Sequence, residues 1–266
     1  MFTSTMSNAS HTPVPSGFPA MIYIIRHGEK PSTVDTRARP LLPEFAAPTL
    51  GIDSQGNPNE HSLTPRGWQR AGALAVRFAA SPIYDPSHSV APSEDGSKRT
   101  GWYRPAALFA SGYTDNGIDT STIHRAYLTV QPLAEVLDEQ DRANGGDGCQ
   151  INALFEVKAT KAAVAAILQA GPGTVLAAWE HHAIYEGRPA GGGGPSGLVS
   201  HLPISNPQDL PEAWPDDRFD LIWCFTRVPS SATKRSDATP THRYTFSQQP
   251  QCLLAGDLYS VAGPGN

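Results

Sequence analysis

An arginine, a histidine and a glycine follow an uncharged apolar run near the start of the chain. The run, Met21-Ile22-Tyr23-Ile24-Ile25, is rich in β-branched and aromatic residues and predicts a buried strand. Arg26, His27 and Gly28 then fall at its carboxyl end, where open α/β sheets bind ligands. A histidine there beside an arginine is typical of a nucleophile next to an anion clamp, although an ordinary loop histidine would look the same. Gly28 would let the backbone turn tightly or approach a bound group closely.

A second cation and a second imidazole occur later in the chain. Arg125 lies within the segment 121–126, and His181 follows Trp179-Glu180 after an apolar run. An arginine offers a planar fork of donors that matches the geometry of carboxylate and phosphate groups, so Arg26 and Arg125 could both bind an anion.

Four sequence landmarks occur in a fixed order. They are the Arg-His-Gly loop, a helix opening at 63–71 (Leu-Thr-Pro-Arg-Gly-Trp-Gln-Arg-Ala), a Ser-x-x-x-Arg-Ala segment at 121–126 followed by Thr129 and Pro132-Leu133-Ala134, and a strand at 175–181 that ends in histidine. In this order they resemble the histidine phosphatase superfamily, which has the phosphoglycerate-mutase-like fold. The resemblance covers roughly residues 21 to 255.

The resemblance implies a phosphomonoester hydrolase that forms a phosphohistidine on His27 and needs neither a metal nor another cofactor. Its substrate would be a small-molecule phosphate ester. His181 would be the second histidine that contacts the phosphoryl group, and Lys30 would add positive charge at the rim. The residues expected to be catalytic are Arg26, His27, Arg125 and His181, and those expected to bind substrate are Gly28, Glu29 and Lys30.

The proton donor for the leaving group is not evident from the sequence. Glu180 is a possible donor, although a carboxylate that orients His181 would look the same. His182 competes with His181 for the second histidine position, but an apolar residue three positions on, Ile184, fits His181 better. Four further carboxylates lie at plausible distances along the chain without a convincing motif: Glu135, Asp138, Glu139 and Glu156.

Three other functions stay open. A phosphoglycerate-type mutase would have to shield the phosphohistidine from water, and the chain lacks the asparagine and tryptophan that usually follow the motif in that group. A non-catalytic phosphate-binding module on the same fold would explain the missing acid. A metal-dependent hydrolase built on residues 180–182 is disfavoured, because adjacent histidines on a strand point to opposite faces.

Composition predicts one compact catalytic domain over 21–266 after a flexible tail over 1–20. The 266 residues carry a net charge of −5, which argues against a nucleic-acid binder. No apolar run approaches the roughly 20 residues of a membrane span. The three cysteines form neither a disulfide framework nor a zinc pattern, and the N-terminus does not resemble a secretory signal, so we expect a cytoplasmic protein. The oligomeric state is open.

Strand-like and helix-like segments alternate along the chain, which predicts a doubly wound, mostly parallel sheet in an α/β/α arrangement of three layers. We expect strands at 21–25, 106–110, 174–179, 219–226 and 242–247. We expect helices from Thr64-Pro65, over 121–139 with a break or restart at Pro132, and over 157–170. Long loops fill 31–62, 81–104 and 187–215, the last of them loose and mobile.

Overall fold

A computed structural model describes residues 17–31, 50–85, 102–112, 124–188, 193–228 and 243–258. As predicted, the fold over these ranges is mixed α/β with a mostly parallel sheet and three α-helices, but the sheet has six strands where five were expected, the additional one at Ile151–Asn152. The strands are β1 (Met21–Arg26), β2 (Ala107–Ala110), β3 (Ile151–Asn152), β4 (Thr174–Trp179), β5 (Leu221–Val228) and β6 (Arg243–Pro250). The helices are α1 (Pro65–Ala79), α2 (Arg125–Ala143) and α3 (Thr160–Leu168), with single 3₁₀ turns at His181–Ala183, Val199–His201 and Pro207–Asp209.

The sheet has the strand order β3-β2-β4-β1-β5-β6. The first four strands in that order run parallel, whereas β5 is antiparallel to both of its neighbours. β1 and β4 lie at the centre of the sheet and every residue of both is buried. Strands buried on both faces are expected to be continuously apolar, which explains why both were recognisable in the sequence.

Each face of the sheet carries its own apolar core. Side chains of β1 alternate between them: Tyr23 and Ile25 pack with α1 and α2, whereas Ile22 and Ile24 pack with α3. The α3 side also receives residues from the segment after β4, among them Leu198 and Trp214. This arrangement leaves the loops at the carboxyl ends of β1, β2 and β4 on one edge of the sheet.

The helix α1 begins as the sequence predicts. The Thr64 side chain caps it by accepting a hydrogen bond from the backbone N–H of Gly67 at 3.1 Å, and Pro65 occupies the first helical position. Its buried residues, which include Leu74 and Phe78, lie on one face. The helix thereby fixes the loop that precedes it.

Two expectations about where regular or ordered structure is interrupted are wrong. Pro132 neither ends nor restarts α2, which is continuous through it because Val130, Leu133 and Leu137 anchor both halves of the helix in the core. The part of the 187–215 segment that the structure describes is not loose, since Leu198, Val199 and Trp214 are almost fully buried. The sequence hides this packing because the buried residues are separated by prolines and glycines and follow no regular period.

The end of the predicted tail, residues 17–20, lies within the described part of the chain. Residues 1–16 lie outside the described part of the chain, as do 32–49 of the first long loop. Ala20, however, is buried, and its N–H donates to the carbonyl of Gly173 at 2.9 Å while its own carbonyl accepts from Arg227. Residues just before β1 are thus part of the fold. Within the described ranges, no helix has the length and apolar character needed to cross a membrane.

Candidate active site

The central strands place two histidines side by side. β1 and β4 are parallel neighbours with Arg26 opposite Trp179 at their carboxyl ends. The backbone N–H of His27 continues this pairing by donating to the carbonyl of Trp179 at 3.0 Å. The ring centroids of His27 and His181 lie 5.9 Å apart in an edge-to-face arrangement. The sheet therefore brings together two imidazoles that are far apart in the sequence.

The His27 side chain is 2% exposed and its protonation is fixed by a backbone contact. Its Nδ1 lies 2.8 Å from the carbonyl oxygen of Gly28. Because a carbonyl oxygen only accepts, the proton must sit on Nδ1, which leaves a lone pair on Nε2. Burial, and after it the charge of Arg26, lowers the pKa of His27 to about 3. The ring is therefore neutral near pH 7, and Nε2 can act as a nucleophile.

Arg26 is buried beside His27, and one of its hydrogen-bond donors has no partner among the described residues. Its Nη1 donates to the carbonyl of Asp216 at 2.5 Å, and its guanidinium carbon lies 3.7 Å from the centroid of the Phe219 ring. Among the described residues, its Nε finds no hydrogen-bond partner. Burial lowers the pKa of Arg26 to about 10, against the opposing effect of Glu180 and Asp216, so the group stays charged at neutral pH. A buried, charged donor without a partner is suited to an anionic ligand.

The first turn of α2 is tied directly to the Arg-His-Gly loop. The Thr129 hydroxyl accepts a hydrogen bond from the N–H of Gly28 at 2.7 Å and donates to the carbonyl of Arg125 at 2.6 Å. The carbonyl of Gly28 is paired with Nδ1 of His27, so both backbone polar groups of Gly28 have partners within the protein. Thr129 belongs to the sequence landmarks, and its position explains why a threonine one turn after Arg125 is useful there.

Arg125 and Lys30 add positive charge around the two histidines. The Arg125 guanidinium donates to the carbonyls of Glu60, at 2.7 Å, and Ser62, at 3.2 Å. Burial lowers the pKa of Lys30, and the charges of Arg26 and Arg125 lower it further. Arg125 also contributes to the lowered pKa of His27. We call the five side chains that the structure brings together the cationic cluster: Arg26, His27, Lys30, Arg125 and His181.

Glu180 sits against His181 as a carboxylate. Its Oε1 lies 2.8 Å from His181 Nδ1, a close electrostatic contact that lacks the direction of a hydrogen bond. Its Oε2 accepts from the N–H of Ala183 at 3.1 Å, which caps the 3₁₀ turn. Burial alone would raise the pKa of Glu180, but the contact with His181 lowers it to about 2. An acid so strongly ionised is well placed to orient His181 and poorly suited to donate a proton.

Asp216 enters the site although no sequence pattern marks it. Its Oδ1 lies 3.4 Å from His181 Nε2, and its carbonyl holds Arg26. The residue lies in the turn before β5, and its side chain is 54% exposed. The signal that would have found it is weak: a Pro-Asp-Asp turn ahead of a strand, which is also ordinary loop sequence.

Glu29 belongs to a structural ion-pair network rather than to the cationic cluster. Its carboxylate accepts from Arg70 Nη2 at 2.8 Å and from Arg66 Nε at 3.1 Å, and only 14% of its side chain is exposed. These contacts pin the loop after His27 to α1. The carboxylate is thus occupied by arginines of the helix, which leaves Lys30 as the member of the predicted substrate-binding trio whose side chain joins the cluster.

Two glycines let the Arg-His-Gly loop approach α1. A Cβ on Gly28 would lie 3.1 Å from the carbonyl oxygen of Gly67, and a Cβ on Gly67 would lie 2.6 Å from the carbonyl oxygen of Glu29. The two backbones therefore meet where only glycines fit. The close approach, rather than a positive φ, is the reason for Gly28.

Replacing Gly67 with alanine should lower the free energy of unfolding by about 1–3 kcal/mol, because the new methyl group meets backbone atoms that cannot move independently. Gly72 is the matched control in the same helix, since a Cβ there meets nothing within 4 Å. Gly72→Ala should raise stability by roughly 0.5–1 kcal/mol through helix propensity. Urea denaturation of both variants measures the difference, and equal stabilisation of both would contradict the close contact.

His182 lies next to the site but is exposed. Its ring stacks on that of His181 with centroids 3.8 Å apart. The expectation that the two histidines face opposite sides is wrong, because they lie in a 3₁₀ turn and not on the strand. Burial and proximity to His27 favour His181 as the second histidine, as the sequence pattern indicates.

The site also contains potential metal ligands. Ligand atoms of His181, His182 and Asp216 lie within 4.8 Å of one another, as do those of His27, Glu180 and His181. By distance, either trio could hold a divalent cation. The three cationic side chains of the cluster oppose a second positive charge, however, and favour an anion at the same place.

The sequence matches no protein-family model, and a search of curated proteins returned no significant match.

Proposed function

We propose that this protein is a phosphomonoester hydrolase of the histidine phosphatase type, with the phosphoglycerate-mutase-like fold in three layers. The observation that supports it best is the neutral, buried Nε2 of His27 beside His181 and three cationic side chains at one edge of the sheet. The packing of α1 and α2 on one face and α3 on the other is in keeping with that fold. We also propose that the protein is cytoplasmic, because its three cysteines form no disulfide and the cytoplasm keeps thiols reduced.

The proposed reaction begins with a phosphate ester held by the cationic cluster. Arg26, Arg125 and Lys30 neutralise the charge on the phosphoryl oxygens, which is where an enzyme of this kind does most of its work. The lone pair of His27 Nε2 attacks phosphorus, the bond to the ester oxygen breaks, and a phosphohistidine forms. Water then attacks phosphorus, and inorganic phosphate leaves as the lone pair returns to Nε2.

The test is hydrolysis of p-nitrophenyl phosphate by the full chain in the presence of EDTA. We expect turnover that EDTA does not change, competitive inhibition by vanadate, and a phosphorylated protein in rapidly quenched samples. Absence of both turnover and the phosphorylated species would favour the non-catalytic phosphate-binding module. Isomerisation of 3-phosphoglycerate in the presence of a bisphosphate primer would favour the mutase.

A metal-dependent hydrolase is the second candidate, because the ligand atoms of His181, His182 and Asp216 lie within 4.8 Å of one another. It would lose its activity in EDTA and recover it when zinc or another divalent cation is restored. The same assay therefore separates the two functions.

A further inference from the structure

The leaving group of a phosphate ester needs a proton, and three observations bear on where it comes from. An alkoxide leaves slowly unless an acid within hydrogen-bond reach protonates it. In phosphoryl transfer the attacking atom, here a histidine nitrogen, and the leaving ester oxygen lie on opposite sides of phosphorus and roughly in line with it. His27, the proposed nucleophile, is almost fully buried, so we place the leaving group opposite it, on the more exposed side of the cluster. The donor should therefore be a carboxyl group that is close to the cluster and partly exposed.

Asp216 meets these requirements. Its Oδ1 lies 3.4 Å from Nε2 of His181, while 54% of its side chain is exposed. Its negative charge raises the pKa of both Arg26 and Lys30, as expected for a carboxylate near the cluster. By contrast, the Glu180 side chain is 23% exposed, and its two oxygens contact His181 and the N–H of Ala183.

The turn around Asp216 is held by hydrogen bonds that would position a catalytic acid. The N–H of Arg218 donates to the carbonyl of Pro215 at 3.2 Å, which closes a turn with Asp216 and Asp217 at its centre. The indole of Trp214 donates to the carbonyl of Arg218 at 2.8 Å, and both of these residues are buried. Arg26 holds the same turn through the carbonyl of Asp216. The carboxylate is thus supported from the core on one side and by the cluster on the other.

We infer that Asp216 is the general acid and base of the reaction, an inference that rests on the proposed phosphatase function. In the first step the carboxyl group gives its proton to the ester oxygen as that oxygen takes the electron pair of the breaking bond to phosphorus. An alcohol leaves, and Asp216 becomes a carboxylate beside the phosphohistidine. In the second step it accepts a proton from the attacking water, the bond from phosphorus to Nε2 breaks, and phosphate is released. The carboxyl group is then restored.

The experiment compares two esters that differ in their need for a proton. Glycerol 2-phosphate has an alkoxide leaving group, whereas 2,4-dinitrophenyl phosphate releases a stable phenolate. The measurement is the rate of the first step, the formation of phosphorylated protein in rapidly quenched samples, because the base role of Asp216 in the second step is common to both esters. In that step Asp216→Asn should slow transfer from the alkyl ester by roughly 10²–10⁴-fold and transfer from the aryl ester only a few-fold. Across a series of phenyl phosphates, the rate of this step in the variant should depend more steeply on the pKa of the leaving phenol.

Asp217→Asn is the matched control, because Asp217 occupies the same turn and its charge also acts on Arg26. It should affect both esters equally and weakly. Equal slowing of the first step for both esters by Asp216→Asn, or a selective loss of alkyl-ester activity in Glu180→Gln instead, would overturn the assignment. If the unmodified protein hydrolysed neither ester and formed no phosphohistidine, the proposed function would fail first, and the role of Asp216 with it.

Discussion

Replacing His27 with alanine is expected to lower the rate of p-nitrophenyl phosphate hydrolysis by about 10⁴-fold or more, the size of effect seen when a covalent nucleophile is removed. The ring is buried, Nδ1 is held by the carbonyl of Gly28, and Nε2 carries the lone pair. Without this imidazole no phosphohistidine forms at residue 27, and water would have to attack the ester directly in one difficult step. Initial rates and trapping of phosphorylated protein measure the effect.

The control is His182→Ala, which removes an exposed imidazole from the same edge of the sheet. Its rate should fall only a few-fold. His27→Ala should still bind vanadate or phosphate, since Arg26, Lys30 and Arg125 are unchanged. A His27→Ala protein that keeps its activity would refute the nucleophile, and one that loses phosphate binding as well would point to a structural role for the ring.

The central part of the fold could be predicted because it follows simple local rules. β1 and β4 are continuous apolar runs, and such runs are typical of strands covered on both faces. Thr64 and Pro65 mark the start of α1 by capping chemistry that depends on few neighbours. Once both strands are recognised, parallel pairing alone is enough to expect His27 and His181 at the same edge of the sheet.

The rest of the site depends on contacts that no local pattern encodes. Glu29 follows the nucleophile directly in the sequence, yet its carboxylate is taken by arginines of α1. Asp216 lies nearly two hundred residues from Arg26 in the sequence and is brought to it by the packing of the segment that ends at Trp214. Pro132 stays inside a helix because burial on both sides of it outweighs the lost hydrogen bond. Long-range packing decides each of these three cases.

A buried ion-pair network connects the loop after His27 to the end of the described chain. Arg70 lies at its centre with 2% of its side chain exposed. Its Nη2 is 2.8 Å from both Glu29 Oε1 and Asp257 Oδ1, and its Nη1 donates to Gln251 at 2.9 Å. The charge of one guanidinium thus balances two carboxylates, and its contacts join α1 to the loop after His27 and to residues 251–257.

Arg70→Leu should therefore lower the free energy of unfolding by about 3–5 kcal/mol, because it leaves two largely buried carboxylates with only the more exposed Arg66 as a cationic partner. Arg66→Leu is the matched control, since Arg66 contacts the same two carboxylates but 43% of its side chain is exposed. Loss of this exposed pair should cost about 1 kcal/mol or less. Urea denaturation at pH 7 measures both variants, and equal effects would show that burial does not set the strength of the network.

The effect of Arg70→Leu should also depend on pH in a direction that follows from Asp257. Burial alone would raise the pKa of Asp257, but the hydrogen bonds and charge of Arg70 lower it below its ordinary value. A lowered pKa in the folded state contributes stability above the ordinary pKa of the carboxyl group, and this contribution is lost as the pH falls through the lowered value. The variant lacks that contribution, so the stability difference from the unmodified protein should be largest near neutral pH and should shrink below about pH 4. A difference that is the same at pH 7 and pH 3.5 would assign the loss to packing of the arginine stem instead of to its charge.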